Sequence, residues 1–414
     1  MRRIIPLVSL AAMLLATPAL AQSNLEKLSG FKKTGVTEFE VIEQGGDYAD
    51  GIRKTLERIN LPSGFKIELY AVVPDARHMA VGPQGIVTFV GTRKTKVWSV
   101  TDRNKDRVAD EVKSFAPSID FAIPNGPCFS DDGFLYIAEQ NRLLVYPAAE
   151  FFYESPDVAA FNVVAEGKLI PPDEESYNHT ARVCSIGPDD KIYITIGQPF
   201  NVFAPEKMDL YSEAGIGGII RMNRDGTQRE VYTQGVRNSV GLDFNPANGD
   251  LWFTDNQVDG MGDDIPPGEL NRQTAKGQHF GFPWYGGGDT RTNEYADSEP
   301  PADVIFPEVN MVAHAADLGM HFYEGKMFPA KYRGGIFSAQ HGSWNRTTPV
   351  GARVMYTPVN EDGSAGETEV FADGWIDANG EYLGRPVDVV ELRDGSILVS
   401  DDLAGAIYRI SYGN

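Results

Sequence analysis

The sequence predicts an all-β protein, a six-bladed β-propeller with a long loop insertion and a short N-terminal helix. Two observations carry this expectation. A Gly- or Asp-bearing turn followed by alternating apolar residues returns six times along the chain. The returns are mostly about 50–60 residues apart, the length of a four-stranded blade. Helix-periodic segments, by contrast, are scarce.

At the N-terminus, Arg2 and Arg3 precede an apolar stretch from Ile4 to Leu15, and Ala19-Leu20-Ala21 forms an A-x-A cleavage site. Residues 1–21 therefore read as a secretory signal peptide. The stretch is too short to span a bilayer, and no Cys follows the cleavage site to carry a lipid anchor. A periplasmic or secreted product with no membrane span is expected. Residues 22–60 are expected to form an extension with one helix over Tyr48 to Ile59. Asp47 is its candidate N-cap, with Tyr48, Ile52, Leu56 and Ile59 on one face.

The propeller is expected over residues 61–414. Its turns are Gly82-Pro83-Gln84-Gly85, Asp131-Asp132-Gly133, Pro188-Asp189-Asp190, Asn248-Gly249-Asp250, Arg333-Gly334-Gly335 and Arg393-Asp394-Gly395. Each precedes an apolar run such as Phe134-Leu135-Tyr136-Ile137 or Leu251-Trp252-Phe253, so each reads as a hairpin. The longer interval between Gly249 and Gly335 places an insertion at Val258 to Met311, rich in Gly, Pro and Asp. Long loops on a rigid scaffold tend to carry function.

Composition narrows the function classes. The chain has 414 residues, 42% hydrophobic and 23% charged, which suits a globular protein with a sizeable core. A net charge of −21 gives nucleic acids and anionic membranes no general attraction to it. Two cysteines, Cys128 and Cys184, cannot form a disulfide framework or a Cys-rich zinc site. Their pairing is left open. The sequence lacks G-x-S-x-G, H-E-x-x-H, a P-loop, a Rossmann fingerprint and the C-x-x-C-H of covalent haem.

Polar residues gather at matching positions of the repeat. Asn178-His179-Thr180-Ala181-Arg182 leads into the third inner strand, and Gly235-Val236-Arg237-Asn238 into the fourth. His341-Gly342-Ser343-Trp344-Asn345-Arg346 follows the fifth repeat's strand, and Gly384-Arg385-Pro386-Val387-Asp388 opens the sixth. Four blades thus put Arg, Asn or His at one end of the channel, which predicts a local cationic pocket for a small polyanion.

Those blocks, together with Ile186-Gly187-Pro188-Asp189, Ile192 to Gly197 and Asn271 to Pro283, resemble the soluble glucose/sorbosone dehydrogenases that use pyrroloquinoline quinone (PQQ). The resemblance runs from about Leu61 to Tyr412. His341 to Arg346, with Phe322-Tyr323-Glu324-Gly325 upstream, are similar to the sorbosone-type branch. The resemblance implies PQQ and calcium (Ca2+), a small-molecule sugar, aldose or sugar aldehyde hydrate as substrate, and a separate electron acceptor, a cytochrome or a quinone.

It further implies His179 as the general base, which suits an imidazole with an ordinary pKa near 6.5. Arg237, Asn238 and Asn256 match cofactor contacts, Arg385 matches an Arg that pairs with a PQQ carboxylate, and His341 or Arg346 takes the remaining edge. For calcium, the loop from Thr254 through Gln257 and Val258 aligns with main-chain ligands, with Asp263, Asp264 and Glu269 as side-chain candidates. Gln198 departs from the acid that glucose-type members carry beside the base, and Gln257-Val258 departs from a Gly-Pro pair.

A separate run, Asp102-x-Asn104-x-Asp106-x-x-x-Asp110-Glu111, has calcium-loop spacing. However, Arg107 stands at the turn Gly position and Lys113 where an EF-hand places Glu. Two other functions compete with the dehydrogenase: a calcium-dependent lactone hydrolase, which wants axial carboxylates, and a non-catalytic ligand-binding propeller.

Overall fold

The computed structural model describes residues 32–33, 38–155 and 158–413, so the expected signal peptide lies outside the described residues. Six antiparallel sheets are arranged as the blades of a propeller. The inner strands, in chain order, are Met79–Val81, Gly126–Phe129, Cys184–Ile186, Leu242–Phe244, Asp317–Phe322 and Pro386–Glu391. Each pairs with the strand that follows the predicted turn, as Leu135–Ala138 pairs with Gly126–Phe129. All six predicted turns join the first two strands of a blade. Gly85, Gly133, Asp190, Gly249 and Gly395 there adopt φ of 68°, 86°, 58°, 77° and 83°. In the fifth turn Gly334, not Gly335, takes the left-handed conformation, with φ 74°.

The ring closes with non-local pairing. Phe65–Val72 is the fourth strand of the sixth blade and lies antiparallel to Ala406–Tyr412, from Val72 opposite Ala406 to Phe65 opposite Tyr412. Two short strands from the N-terminal segment add edges: Val41–Ile42 on the first blade and Lys32–Lys33 on the second. Because blades pack face to face, second strands such as Val87–Val90 and Ile397–Asp401 are buried throughout. The fifth and sixth blades share an aromatic core that includes Phe328, Tyr332, Phe337, Phe371 and Tyr408.

Two expectations need correction. The helix spans Gly46–Leu56, and Gly45, not Asp47, is its N-cap, with no side-chain capping bond; Asp47 sits in the first turn. Ala49, Ile52 and Leu56 face the core, whereas Tyr48 is exposed and donates its hydroxyl to the Ala404 carbonyl. The single insertion expected at 258–311 is two connections, 256–267 and 274–308. The third strand of the fourth blade, Gly268–Gln273, separates them, and Met311 ends the fourth strand.

Cys128 and Cys184 form a disulfide with their Cα atoms 5.7 Å apart, tying the inner strands of the second and third blades. Among the described residues no helix is long and apolar enough to cross a membrane.

Candidate active site

The blade turns occupy one end of the channel, so the loops that enter first strands and leave second strands share the other. There a cavity of about 710 Å³ is lined by Asn178, His179, Phe200, Asn201, Arg237 and Asp259, with Gly260, Gly262, Asp263, Trp344 and Asn345 completing its wall.

His179 is placed by close packing. It adopts φ 52°, a left-handed conformation that a non-Gly residue holds only when its surroundings fix it. Arg182 donates to its carbonyl at 2.8 Å and to Gln140 O at 3.1 Å. Gly197 lies against it: a Cβ there would sit 2.9 Å from His179 Cβ and 2.4 Å from Asn238 Oδ1.

The tautomer of His179 follows from one contact. Nδ1 is 2.5 Å from the Gln198 carbonyl, which can only accept, so Nδ1 carries the proton. Nε2 is then a bare lone pair, and among the described residues no hydrogen bond ends on it. Burial and the Arg237 guanidinium push the imidazole down to about 3, so it is neutral across ordinary pH. The Gln198 side chain works elsewhere: its Oε1 accepts from Phe200 N at 2.8 Å and its Nε2 donates to Phe200 O.

Arg237 is buried on the pocket floor. It donates to Asn201 O at 2.9 Å, Asn201 Oδ1 at 2.9 Å, Asn256 O at 3.2 Å and Asp259 Oδ2 at 3.1 Å. Its own N–H and that of Asn238 both end on the buried Asp255 carboxylate, at 2.8 and 2.6 Å.

The structure does not bring the other expected residues together in this cavity. Asn256 lies beneath it and donates to Asn238 O and Asp317 O. Arg346 turns toward the 256–267 loop, donating to Asp263 O at 2.6 Å and Asp264 Oδ1 at 3.2 Å. Arg385 lies over the Tyr382 ring and donates to Ser343 O at 2.9 Å. His341 meets Asp402 at 2.8 Å, and Arg77 holds the same carboxylate at 2.8 Å.

The calcium candidates are likewise spread out. Gln257 donates to His314 Nδ1 at 2.9 Å, Val258 is buried with its N–H on Gly286 O, and the Asp264 carboxylate is 88% exposed. Glu269 is buried beside Asp255, and burial plus that neighbour push its carboxyl well above the usual carboxylate range. Among the described residues no three His, Cys, Asp or Glu side chains converge as a metal site. Three buried amide oxygens on these loops, Gln257 Oε1, Asn238 Oδ1 and Asn345 Oδ1, accept no hydrogen bond.

In the 102–111 run, Asp106 and Asp110 accept from the Asn104 amide, and Asp102 Oδ2 accepts from Arg107 N. The axial carboxylates Asp243, Asp388 and Glu391 line the opposite mouth with His321, away from the His179 pocket.

Two polar pocket residues, Asn201 and Asp259, were not singled out from the sequence. Asn201 follows the Ile192–Gly197 block by four residues, and Asp259 opens the glycine-rich loop. Both read locally as solvated polar positions.

The fold and pocket define a six-bladed propeller with an unprotonated imidazole nitrogen and a buried guanidinium at one mouth of its channel. The family model described as glucose/sorbosone dehydrogenase matches residues 157–343. An uncharacterised protein of Borreliella burgdorferi is 30% identical over 88% of this chain and 93% of its own length. Among solved structures, the calcium structure of a Trichoderma reesei carbohydrate-active enzyme of family AA12 superposes with TM-score 0.71 at 19% identity, covering 86% of this chain and 97% of that one. The holo form of the pyranose dehydrogenase PQQ domain from Coprinopsis cinerea gives 0.67 at 18%, covering 85% and 97%. The soluble aldose sugar dehydrogenase of Escherichia coli gives 0.55 at 17%, covering 84% and 99%. The chain belongs to the glucose/sorbosone dehydrogenase family and is an oxidoreductase of that family.

Proposed function

We propose that the protein is an exported, PQQ- and calcium-dependent dehydrogenase that oxidises a hydroxyl of a sugar, an aldose or a sugar aldehyde hydrate. The observation that carries this reading is the bare Nε2 of His179 in the same pocket as Arg237. A hydroxyl placed against Nε2 gives up its proton to a base whose other nitrogen is already fixed on Gln198 O, so no tautomer change is needed. General-base assistance of this kind is worth about 10²–10⁴-fold. When bound, PQQ supplies the hydride acceptor.

Arg237 is the lining residue best placed to hold a cofactor carboxylate or quinone oxygen, with Asn238 following it in the chain and Arg385 and His341 outside the cavity lining. A polycarboxylate there offsets the Arg237 field and raises the proton affinity of His179 toward the working range. For calcium, the amide oxygens of Gln257, Asn238 and Asn345 are candidate ligands. The Cys128–Cys184 disulfide supports an oxidising compartment. With no covalent-haem motif in the chain, electrons leave to a separate cytochrome or quinone.

Reconstituting the apo-protein with PQQ and CaCl2, then screening dye reduction across aldoses, pentoses and sugar aldehydes, tests the reading. A stoichiometric quinone spectrum that bleaches with one sugar class supports it. Absence of PQQ uptake would overturn it.

A further inference from the structure

The cavity runs from a buried cation to an exposed aromatic ring. Arg237 is 4% exposed, whereas Trp344 in the same wall is 76% exposed. Of the five tryptophans, Trp98, Trp252 and Trp375 are buried and Trp284 is half-buried, so Trp344 alone stands in solvent. Phe200, also in the wall, is 47% exposed, and Tyr177, next to Asn178, is 89% exposed. Three exposed aromatics at one pocket mouth are not apolar residues scattered singly.

The loops that carry the two wall rings are pinned. Before Trp344, Ser343 N donates to Val350 O at 3.0 Å, and the Ser343 hydroxyl is 3.0 Å from that of Tyr382. After it, Asn345 donates to Asp259 Oδ1 at 2.8 Å and Arg346 to Asp263 O at 2.6 Å. Phe200 is held at both its N–H and its carbonyl by the Gln198 side chain. Rings presented on pre-ordered loops lose little freedom when a ligand arrives.

Amides and a carboxylate of Asn178, Asn201 and Asp263 share the lining with these rings. Asn178 is bonded through its main-chain atoms, which leaves its side-chain amide open among the described residues. A sugar ring carries a face of C–H bonds and an edge of hydroxyls, which match an aromatic face beside amide and carboxylate groups. A polyanion seeks cations instead, and the guanidinium of this wall lies at its buried end.

We propose that Trp344 is a stacking platform for a second sugar ring, so that the substrate is a di- or oligosaccharide whose terminal unit reaches His179 while the next ring lies on the indole. The inference rests on the function proposed above and assigns the specificity of that pocket.

The test compares kcat and KM of the PQQ- and calcium-loaded wild type, Trp344→Ala, Trp344→Phe and Phe152→Ala on pairs that share a reducing unit: glucose with cellobiose and maltose, and xylose with xylobiose. Phe152, exposed between the third and fourth strands of the second blade, controls for loss of a surface ring, and thermal melting reports folding. In the wild type the disaccharide of a pair should have a KM at least about 5-fold below that of its monosaccharide, the scale of one aromatic contact. Trp344→Ala should erase this advantage by raising the disaccharide KM more than it lowers kcat. Trp344→Phe should keep most of the advantage and Phe152→Ala all of it.

A folded Trp344→Ala that retains the full disaccharide preference overturns the proposal, as does a wild type with equal KM for both members of every pair. A loss that Trp344→Phe does not restore overturns it too, since the loop rather than the ring would then be at work. If the wild type oxidises no sugar, acrylamide quenching of the apo-protein separates the two claims. Shielding of the exposed indole by cellobiose or maltotriose, and not by glucose, keeps the platform and removes the dehydrogenase reading; absence of shielding removes both.

Discussion

Gln198 meets His179 through its main-chain carbonyl, 2.5 Å from Nδ1, and spends its side chain on Phe200. The residue type at 198 therefore does not set the tautomer of His179; the backbone path does. Gln198→Ala should leave the Nδ1 proton in place, visible by nitrogen NMR, while costing about 1–3 kcal/mol of stability through the unpaired Phe200 amide. Loss of the Nδ1–H signal in that variant would contradict the assignment.

His179 should stay neutral in the apo-protein well below its ordinary pKa, because burial and Arg237 push it down to about 3. The unfolded chain binds this proton near pH 6.5. Stability from keeping the ring neutral is thus fully present above 6.5 and is lost as pH falls toward 3. An NMR titration should show no imidazolium at pH 5. A midpoint near 6.5 would mean that the ring is solvated and the pocket more open than described.

Gly197→Ala tests the packing that places His179. The added Cβ meets Asn238 Oδ1 at 2.4 Å and both the Cβ and the carbonyl oxygen of His179 at 2.9 Å, so the His179 backbone has to shift. The variant should lose about 1–3 kcal/mol of stability and most of its turnover, as read by denaturant melts and dye reduction. Unchanged turnover would show that the position of His179 is not set from below.

The disulfide anchors the strand that begins five residues after His179. Cys128→Ser/Cys184→Ser, or reduction under denaturing conditions, should lower stability by about 2–4 kcal/mol. Equal melting temperatures with and without the bridge would show that blade packing alone fixes those strands.

The fold was largely legible in the sequence because its signals are local. A turn residue with positive φ followed by alternating apolar residues needs only a few neighbours, and all six such turns lie between the first two strands of a blade. Closure by Phe65–Val72 was not legible, since its partner Ala406–Tyr412 lies at the other end of the chain. The two-residue strands at Lys32 and Val41 carry no pattern at all.

At the site, the block around His179 could be read, but side-chain direction could not. Arg346 and Arg237 look alike in sequence, yet Arg346 bonds a loop carbonyl and Arg237 lines the pocket. Asp259 reads as a loop acid because the three residues that define it, Asn201, Arg237 and Asn345, come from three different blades.

The most direct measurement of the central claim compares the wild type and His179→Ala, each loaded with PQQ and calcium, in a single-turnover reduction of the bound quinone by an oxidisable sugar. Both should take up one PQQ, and the variant should reduce it at least about 100-fold more slowly. Equal reduction rates would contradict His179 as the base, and with it the reading of this pocket as the catalytic centre.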